Sequence, residues 1–313
     1  GDLSLRRRPM GRAAEPLRLM GAEVECRDDR CPVTVRGGGL KGLDYQLPAA
    51  SAQLKSAVLL AGLQAQGRTT VRELLPSRDH TERLISLMGG RISRLDAGWQ
   101  VEPSDLTLPE SVFVPGDASS AAFFLCAAAI IPGSQVTAEG MLLNPTRTGY
   151  LQVLKKMGAR VKIEKKGESP EPWGRVTADY SPDLSACEVS ATEIPSLVDE
   201  VPILTLTATQ AEGTTVFRGV GELRLKETDR LAAISGQLAR LGVRVVIDGE
   251  SLIVEGRQAL KDPVKLDSFG DHRIAMTLRL AGLLIGAEPF IEDESCVNIS
   301  YPDFHQDLKR LKR

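Results

Sequence analysis

Two hydrophobic patterns alternate along the chain, and a strand pattern follows each. The first is a run of small apolar residues, opened by an acidic or hydroxylic residue and closed by glycine before a β-branched stretch. One copy runs from Ser51-Ala52-Gln53 through Ala61-Gly62-Leu63 to Gly67-Arg68-Thr69-Thr70-Val71. The next runs from Asp117-Ala118-Ser119-Ser120 through Ala127-Ala128-Ala129 to Gly133-Ser134-Gln135-Val136. A third goes from Asp199-Glu200-Val201-Pro202 through Leu206-Thr207-Ala208 to Gly213-Thr214-Thr215-Val216. A fourth starts at Asp271-His272-Arg273 and reaches Gly282-Leu283-Leu284 before Pro289-Phe290-Ile291. The second pattern is an amphipathic helix with a glycine-containing end, at Leu17 to Glu23, Leu84 to Arg91, Leu151 to Arg160 and Leu238 to Val246. In its third copy Leu151, Leu154 and Met157 form the core face, while Lys155, Lys156 and Arg160 face solvent. Glycine tolerates the left-handed conformation that ends such a helix.

Together these predict a unit of helix, strand, strand, helix, strand that recurs about every 70 to 80 residues. Alternating α and β elements put the chain in the α/β class. The period is too long for a solenoid and suits a βαβαββ subdomain. Glycine-capped helices before strands occur in any α/β protein and would account for two copies, but not for four in one order. The segment Leu108-Pro109-Glu110-Ser111-Val112-Phe113-Val114-Pro115-Gly116 has no helix period and two prolines. It reads as a strand and a crossing between two domains, with a boundary near Val112. A length of 313 residues likewise exceeds what one core usually serves.

Composition narrows the function. Aromatic residues make up only 4%, which suits a core of Leu, Val, Ile and Ala better than a stacking surface for nucleic acid. A net charge of −2 argues against a polyanion-binding protein, so any phosphate ligand must be held by locally placed residues. The basic tail Lys309, Arg310, Lys312, Arg313 reads as a solvated helix end, with no aromatic or further basic run beside it. Cys26, Cys31, Cys126, Cys187 and Cys296 are odd in number and scattered, which points to a reducing, cytoplasmic setting. The longest apolar stretch, Ala121 to Ile131, falls short of the roughly 20 residues a bilayer requires.

The helix starts carry the candidate chemistry, because exposed N–H groups and the helix dipole favour anions there. Ser51 and Gln53 open one helix with uncharged donors, and Lys55 follows closely. Ser51 equally suits a plain N-cap. Cationic residues recur where elements meet: Arg8 before Pro9, Arg78 in Pro76-Ser77-Arg78-Asp79-His80, Lys226 and Arg230 in Leu225-Lys226-Glu227-Thr228-Asp229-Arg230, and Arg273 after His272. Lys226 and Arg230, four apart, are expected on one helix face with Glu227 beside them. A charge-laced helix start would look the same. Three histidines, His80, His272 and His305, show no ligand spacing, so no metal is expected. No Gly-rich phosphate loop is present either, which disfavours nucleotide or hydride chemistry.

Four segments resemble the signature blocks of the EPSP synthases and stand in that family's order. They are Ser51-Ala52-Gln53-Leu54-Lys55-Ser56-Ala57, Gly116-Asp117-Ala118-Ser119-Ser120-Ala121-Ala122-Phe123, Leu225-Lys226-Glu227-Thr228-Asp229-Arg230-Leu231 and Asp271-His272-Arg273-Ile274-Ala275-Met276. The likeness runs from Gly1 to the last helix, and the Lys-Glu-Thr-Asp-Arg block is its most specific part. It implies a two-domain α/β enolpyruvyl transferase fold of repeated βαβαββ units, with the active site in the cleft and the helix N-termini directed toward it. By the same resemblance the first unit or units are missing, residues 1–112 are the remainder of the N-terminal domain, and residues 113–313 are the C-terminal domain. The chain is also expected to stop early, inside a helix, and to be inactive by itself.

The resemblance further implies transfer of the enolpyruvyl group of phosphoenolpyruvate to the 5-hydroxyl of shikimate 3-phosphate, with no metal or organic cofactor. Ser51 and Gln53 match shikimate 3-phosphate positions, and Arg78 matches a contact to its phosphate. Arg8, Arg230 and Arg273, with Gln53, match the phosphoenolpyruvate site, where planar guanidinium groups suit carboxylate and phosphate. Asp199 and Lys226 match positions at the 5-hydroxyl, and Asp199, Lys226 and Glu227 are the expected catalytic groups. Lys226 favours an ionised Asp199, and burial opposes it. Two departures stand out: Ala52 where some members have a second serine, and Ile299 where some have a lysine. The partners expected are small-molecule substrates only, with no nucleic acid or membrane, for a monomer. Two rivals remain at this point, a UDP-N-acetylglucosamine enolpyruvyl transferase and a non-catalytic α/β repeat protein. The first typically carries a reactive cysteine in a mobile loop and lacks the Lys-Glu-Thr-Asp-Arg block. The second has no reason to place Asp199, Lys226, Glu227, Arg230 and Arg273 at element starts.

Overall fold

The computed structural model describes residue 6, residues 8–262 and residues 265–311. Gly1, Lys312 and Arg313 of the readings above lie outside the described residues. The chain divides into two compact units, Gly1–Val114 with Ser169–Glu171, and Pro115–Glu168 with Pro172–Arg313.

In the first unit α1 (Gly11–Leu19) leads into an antiparallel hairpin of β1 (Glu23–Arg27) and β2 (Arg30–Arg36). A complete repeat follows: β3 (Asp44–Gln46), α2 (Ala52–Gly62), β4 (Thr69–Arg72), α3 (His80–Leu87), β5 (Ile92–Leu95) and β6 (Gly98–Val101). Its sheet has the order β3-β4-β6-β5, with β3 parallel to β4 and the other pairs antiparallel. Leu54, Val58 and Leu59 of α2 bury against Val71, Ile85 and Val101, which is where the apolar pattern of α2 is used.

The second unit repeats this plan. α4 (Ala118–Ile130), β7 (Gln135–Leu142), α5 (Gly149–Lys156), β8 (Arg160–Gly167) and β9 (Trp173–Asp179) form one repeat with sheet order β7-β9-β8. A single parallel bridge from Gly116 to Met141 stands where its first strand would be. The next repeat is β10 (Glu188–Val189), α6 (Val201–Ala208), β11 (Thr214–Phe217), α7 (Arg230–Arg240), β12 (Val245–Asp248) and β13 (Ser251–Glu255), with the order β10-β11-β13-β12. Last come the parallel pair β14 (Leu266–Asp267) and β15 (Ile291–Glu292) around α8 (His272–Ile285), and then α9 (Phe304–Leu311). Gly158 (φ 83°) and Gly242 (φ 81°) take the left-handed conformation just beyond α5 and α7.

The three apolar helices α4, α6 and α8 pack on one another at the centre of this unit. α4 shows why the sequence allows it. Asp117 caps it by accepting the N–H groups of Ser119 and Ser120, and eleven residues from Ala118 to Ile130 are buried. Alanine lets neighbouring helices approach, so the buried run needs no polar face. Cys126 lies inside it, its thiol pushed up to about 12 by burial, and serves as a small hydrophobe. All five cysteines are free. Among the described residues no helix is long and apolar enough to cross a membrane.

Three expectations change. The fourth copy is not a complete unit among the described residues, because after β15 the chain enters a short 3-10 helix, Glu294–Ile299, instead of a hairpin. Each apolar helix from α2 on is also preceded by a very short strand or bridge that the hydrophobic pattern does not mark. Finally, no strand forms over 108–115. Pro109 and Pro115 lack the N–H a ladder needs, and pairing is confined to the Gly116 bridge.

Candidate active site

In the second unit the starts of α6, α7 and α8 bring charged residues together. Asp199 and Glu200 form a 3-10 turn, Val198–Glu200, at the head of α6. Arg230 is the first residue of α7, whose N-cap Asp229 accepts the N–H of Ala232 at 3.0 Å. Asp271 caps α8 and accepts the N–H of Arg273 at 2.9 Å. Its other oxygen receives Arg230 Nε at 2.7 Å. Arg230 Nη1 donates to Asp199 Oδ1 at 3.1 Å and Nη2 to Glu227 Oε2 at 2.5 Å. One guanidinium, with 1% of its side chain exposed, thus orients three carboxylates. Burial works against its charge, but Asp271, Glu227 and Asp199 outweigh burial and raise its pKa.

Asp199 collects further cations. Lys226 Nζ lies 3.8 Å from Oδ1 and also donates to Glu222 at 3.1 Å. Arg273 Nη2 lies 3.7 Å from Oδ2, and its Nη1 reaches the Asp199 carbonyl at 3.5 Å. The sequence is corrected on one point of geometry. Lys226 does not share a helix face with Arg230, because it follows a short 3-10 helix in an extended conformation (φ −85°, ψ −156°) and α7 begins only at Arg230. The two cations meet at Asp199 through the loop instead. His272, beside Arg273, is held below its usual range by burial and then by that arginine, which keeps it neutral near pH 7. Among the described residues no group of His, Cys, Asp and Glu could hold a metal ion.

Arg147 joins this cluster without any signal in the hydrophobic pattern. Its Nη2 donates to Ser119 Oγ at 2.6 Å, and its Nη1 lies 3.7 Å from Asp199 Oδ2. Ser119 in turn donates to the buried Glu200. Burial, opposed by Arg273 and Arg147, raises the pKa of Glu200. Ile299 is 68% exposed in the 3-10 helix Glu294–Ile299.

The remaining candidates lie in the first unit. Ser51 is the N-cap of α2, accepting the N–H of Leu54 at 3.3 Å, and Gln53 is exposed on the first turn. Ala52 begins the helix. Lys55 is not an available cation at the helix start. It is fully buried, 3.0 Å from Glu73 and 2.7 Å from Glu82. It also donates to the carbonyl of Ser77 at 3.3 Å, which fastens the residue before the half-buried Arg78 to α2. Arg8 lies in the bend before α1.

A family description of EPSP synthase (3-phosphoshikimate 1-carboxyvinyltransferase) matches residues 1–308. The chain belongs to the EPSP synthase family. It is 45% identical to the 3-phosphoshikimate 1-carboxyvinyltransferase of Bacillus licheniformis over 99% of this chain and 73% of that protein. The enzyme of that name from Bacillus subtilis is 44% identical over 100% of this chain and 74% of its own length. The EPSP synthase structure from Acinetobacter baumannii superposes with a TM-score of 0.89 at 37% identity, covering 99% of this chain and 72% of that one. The enolpyruvyl transferase NikO from Streptomyces tendae shares the fold, with a TM-score of 0.79 at 19% identity over 98% of this chain and 72% of its own. The α/β enolpyruvyl transferase fold and the family read from the four sequence blocks are therefore correct.

Proposed function

We propose that these residues serve the family's reaction, transfer of the enolpyruvyl group of phosphoenolpyruvate to the 5-hydroxyl of shikimate 3-phosphate, with Asp199, Lys226 and Glu227 as the catalytic groups. The observation that carries the assignment of roles is Asp199, a carboxylate 3.1 Å from Arg230 and 3.8 Å from Lys226, with Glu227 held on another arm of the same arginine. The 5-hydroxyl oxygen adds to C2 of phosphoenolpyruvate as its proton passes to Asp199, assisted by Lys226. Glu227 gives a proton to C3, which completes the tetrahedral adduct. Loss of phosphate from C2 and of a proton from C3 then restores the double bond on the new ether. Cationic groups placed where charge accumulates on the leaving phosphate are the largest electrostatic help such a site can give.

Ser51, Gln53 and Arg78, with Asp199 and Lys226, are assigned to shikimate 3-phosphate. Arg8, Gln53, Arg230 and Arg273 are assigned to phosphoenolpyruvate. No metal or organic cofactor enters this reading. It takes the enzyme as a cytoplasmic monomer acting on small molecules, without a nucleic-acid or membrane partner, an assignment supported by the scattered free thiols and the balanced net charge.

The test is phosphate release by the full-length protein from phosphoenolpyruvate, with shikimate 3-phosphate or UDP-N-acetylglucosamine as acceptor. Release is expected only with the former. Turnover confined to the nucleotide sugar would overturn the substrate assignment.

The two arginines are expected to differ. Arg273 makes contacts of 3.5 to 3.7 Å to Asp199 and Glu200, so Arg273→Ala should mainly raise KM for phosphoenolpyruvate. A lost charge-assisted contact costs about 1.5 to 3 kcal/mol, or about 10- to 150-fold in KM. Arg230→Ala should do the same and also lower the melting temperature, since it strands Asp271, Glu227 and Asp199. A larger effect on shikimate 3-phosphate than on phosphoenolpyruvate in Arg273→Ala would remove it from this role.

A further inference from the structure

A buried guanidinium is costly unless its donors are satisfied, so the place where a protein keeps one is informative. Arg147 sits in the loop between β7 and α5, 8% exposed. The loop is shaped by Asn144, whose side chain accepts the N–H and O–H of Thr146 at 2.9 and 2.7 Å and whose carbonyl accepts the N–H of Arg147 at 2.9 Å. The guanidinium then spans the heads of two helices. At α4 it donates to Ser119 Oγ at 2.6 Å and lies 3.6 Å from the capping carboxylate Asp117. At α6 it lies 3.7 Å from Asp199 Oδ2. Ser119 uses its own proton on Glu200, the residue next to Asp199. The chain Arg147 to Ser119 to Glu200 therefore holds both the 3-10 turn that carries Asp199 and the cation beside it.

The two oxygens of Asp199 have different neighbours. Oδ1 faces Arg230 and Lys226, whereas Oδ2 faces Arg273 and Arg147. Arg273 and Arg147 bracket Oδ2, and only Arg147 is tied by a hydrogen bond to the rigid head of α4. Arg273 reaches the same turn through longer contacts, 3.5 Å to the Asp199 carbonyl and 3.7 Å to Asp199 and Glu200. We propose that Arg147 is a positioning residue for the proposed base: pinned by Ser119, it fixes the rotation of the Asp199 carboxylate without touching substrate. The proposal rests on Asp199 acting as the base, and it accounts for a buried arginine that the reaction itself does not require.

A merely structural arginine would change stability and leave the kinetics of the folded enzyme alone. A positioning arginine lowers kcat and leaves both KM values close to normal, because misplacing a reacting group by about 1 Å costs up to roughly 10²-fold in rate. In the full-length protein Arg147→Met is expected to lose about 10²-fold in kcat on this ground. Arg147→Lys keeps the charge, but a single ammonium cannot hold Ser119 and face Asp199 as a planar fork does, so it should recover only part of the loss. Ser119→Ala, which leaves the guanidinium and removes its tether, should fall between Arg147→Lys and the parent. If Arg147→Met does not fold, the lysine and Ser119→Ala variants decide.

Asp199→Asn is measured in parallel, alone and combined with Arg147→Lys. Residues acting through one another are non-additive, so the double variant should be no slower than Asp199→Asn. Further loss in the double variant would overturn the coupling and leave Asp199 as base. Full turnover by Asp199→Asn would instead overturn the base assignment itself. Wild-type kcat in Arg147→Lys and Ser119→Ala, or an effect confined to KM for phosphoenolpyruvate, would remove Arg147 from the positioning role.

Discussion

Asp199→Asn is expected to lower kcat by about 10²- to 10⁴-fold, the usual contribution of a general base, while KM for shikimate 3-phosphate stays within a few-fold. Asparagine keeps the size of the side chain; its one carbonyl oxygen can still accept from Arg230, and the backbone carbonyl still accepts from Arg273. What it loses is the ability to take the hydroxyl proton. It also removes one negative charge from a cluster in which Arg230, Lys226, Arg273 and Arg147 all lie within 3.8 Å of that carboxylate. Both substrates are anions, so their binding should not weaken and could tighten. Steady-state kinetics on the full-length protein separate the two effects. A variant with near-normal kcat would take Asp199 out of the mechanism, and one whose loss falls only on KM would leave it the binding role alone.

Much of this cluster was legible because helix starts announce themselves. Asp117, Asp271 and Ser51 are residue types that cap helices, each stands just ahead of an apolar run, and each caps in the structure. The alternation of apolar and amphipathic helices was legible for the same reason, but the strand order was not: the expected helix, strand, strand, helix, strand is in fact helix, strand, helix, strand, strand, as in α2, β4, α3, β5 and β6. The short strands β3, β10 and β14 span two or three residues, too few for any alternation to show. Lys226 was placed on a helix because a spacing of four fits one, but the helix starts at its cap, Asp229, and the residues before it form a loop. Arg147 and Lys55 were missed as buried charges for a deeper reason. Lys55 meets Glu73 and Glu82, 18 and 27 residues away on other elements, and Arg147 meets Ser119 28 residues back. Such pairs are made by tertiary packing and leave no local period.

Lys55→Met is expected to destabilise the first unit by about 3 to 5 kcal/mol, the cost of breaking a buried ion network from one side. The parent holds one buried ammonium between two buried carboxylates, Glu73 and Glu82, and removing it leaves both unpaired in the interior. Glu73 also accepts the N–H of Ser77 at 3.0 Å and its O–H at 2.5 Å, so the loop before Arg78 should loosen with it. With one cation for two carboxylates, the network has a pH signature. Burial raises the pKa of Glu82 above its ordinary value of 4.5, and Lys55 only partly opposes this. The folded state then holds a proton that the unfolded state gives up, so its stabilisation is complete below about 4.5 and is lost as pH rises through the raised value. Glu82→Gln keeps a neutral group there at every pH and leaves the Lys55–Glu73 pair intact. It should therefore match or exceed the parent in stability at mildly alkaline pH and lose this decline. Amide hydrogen exchange in β4 and β6 reads the first unit separately from the second. Unchanged protection in Lys55→Met would show that the network adds nothing to the fold. A Glu82→Gln variant less stable than the parent at mildly alkaline pH would show that the ionised carboxylate, not the neutral one, is what the packing around Lys55 requires.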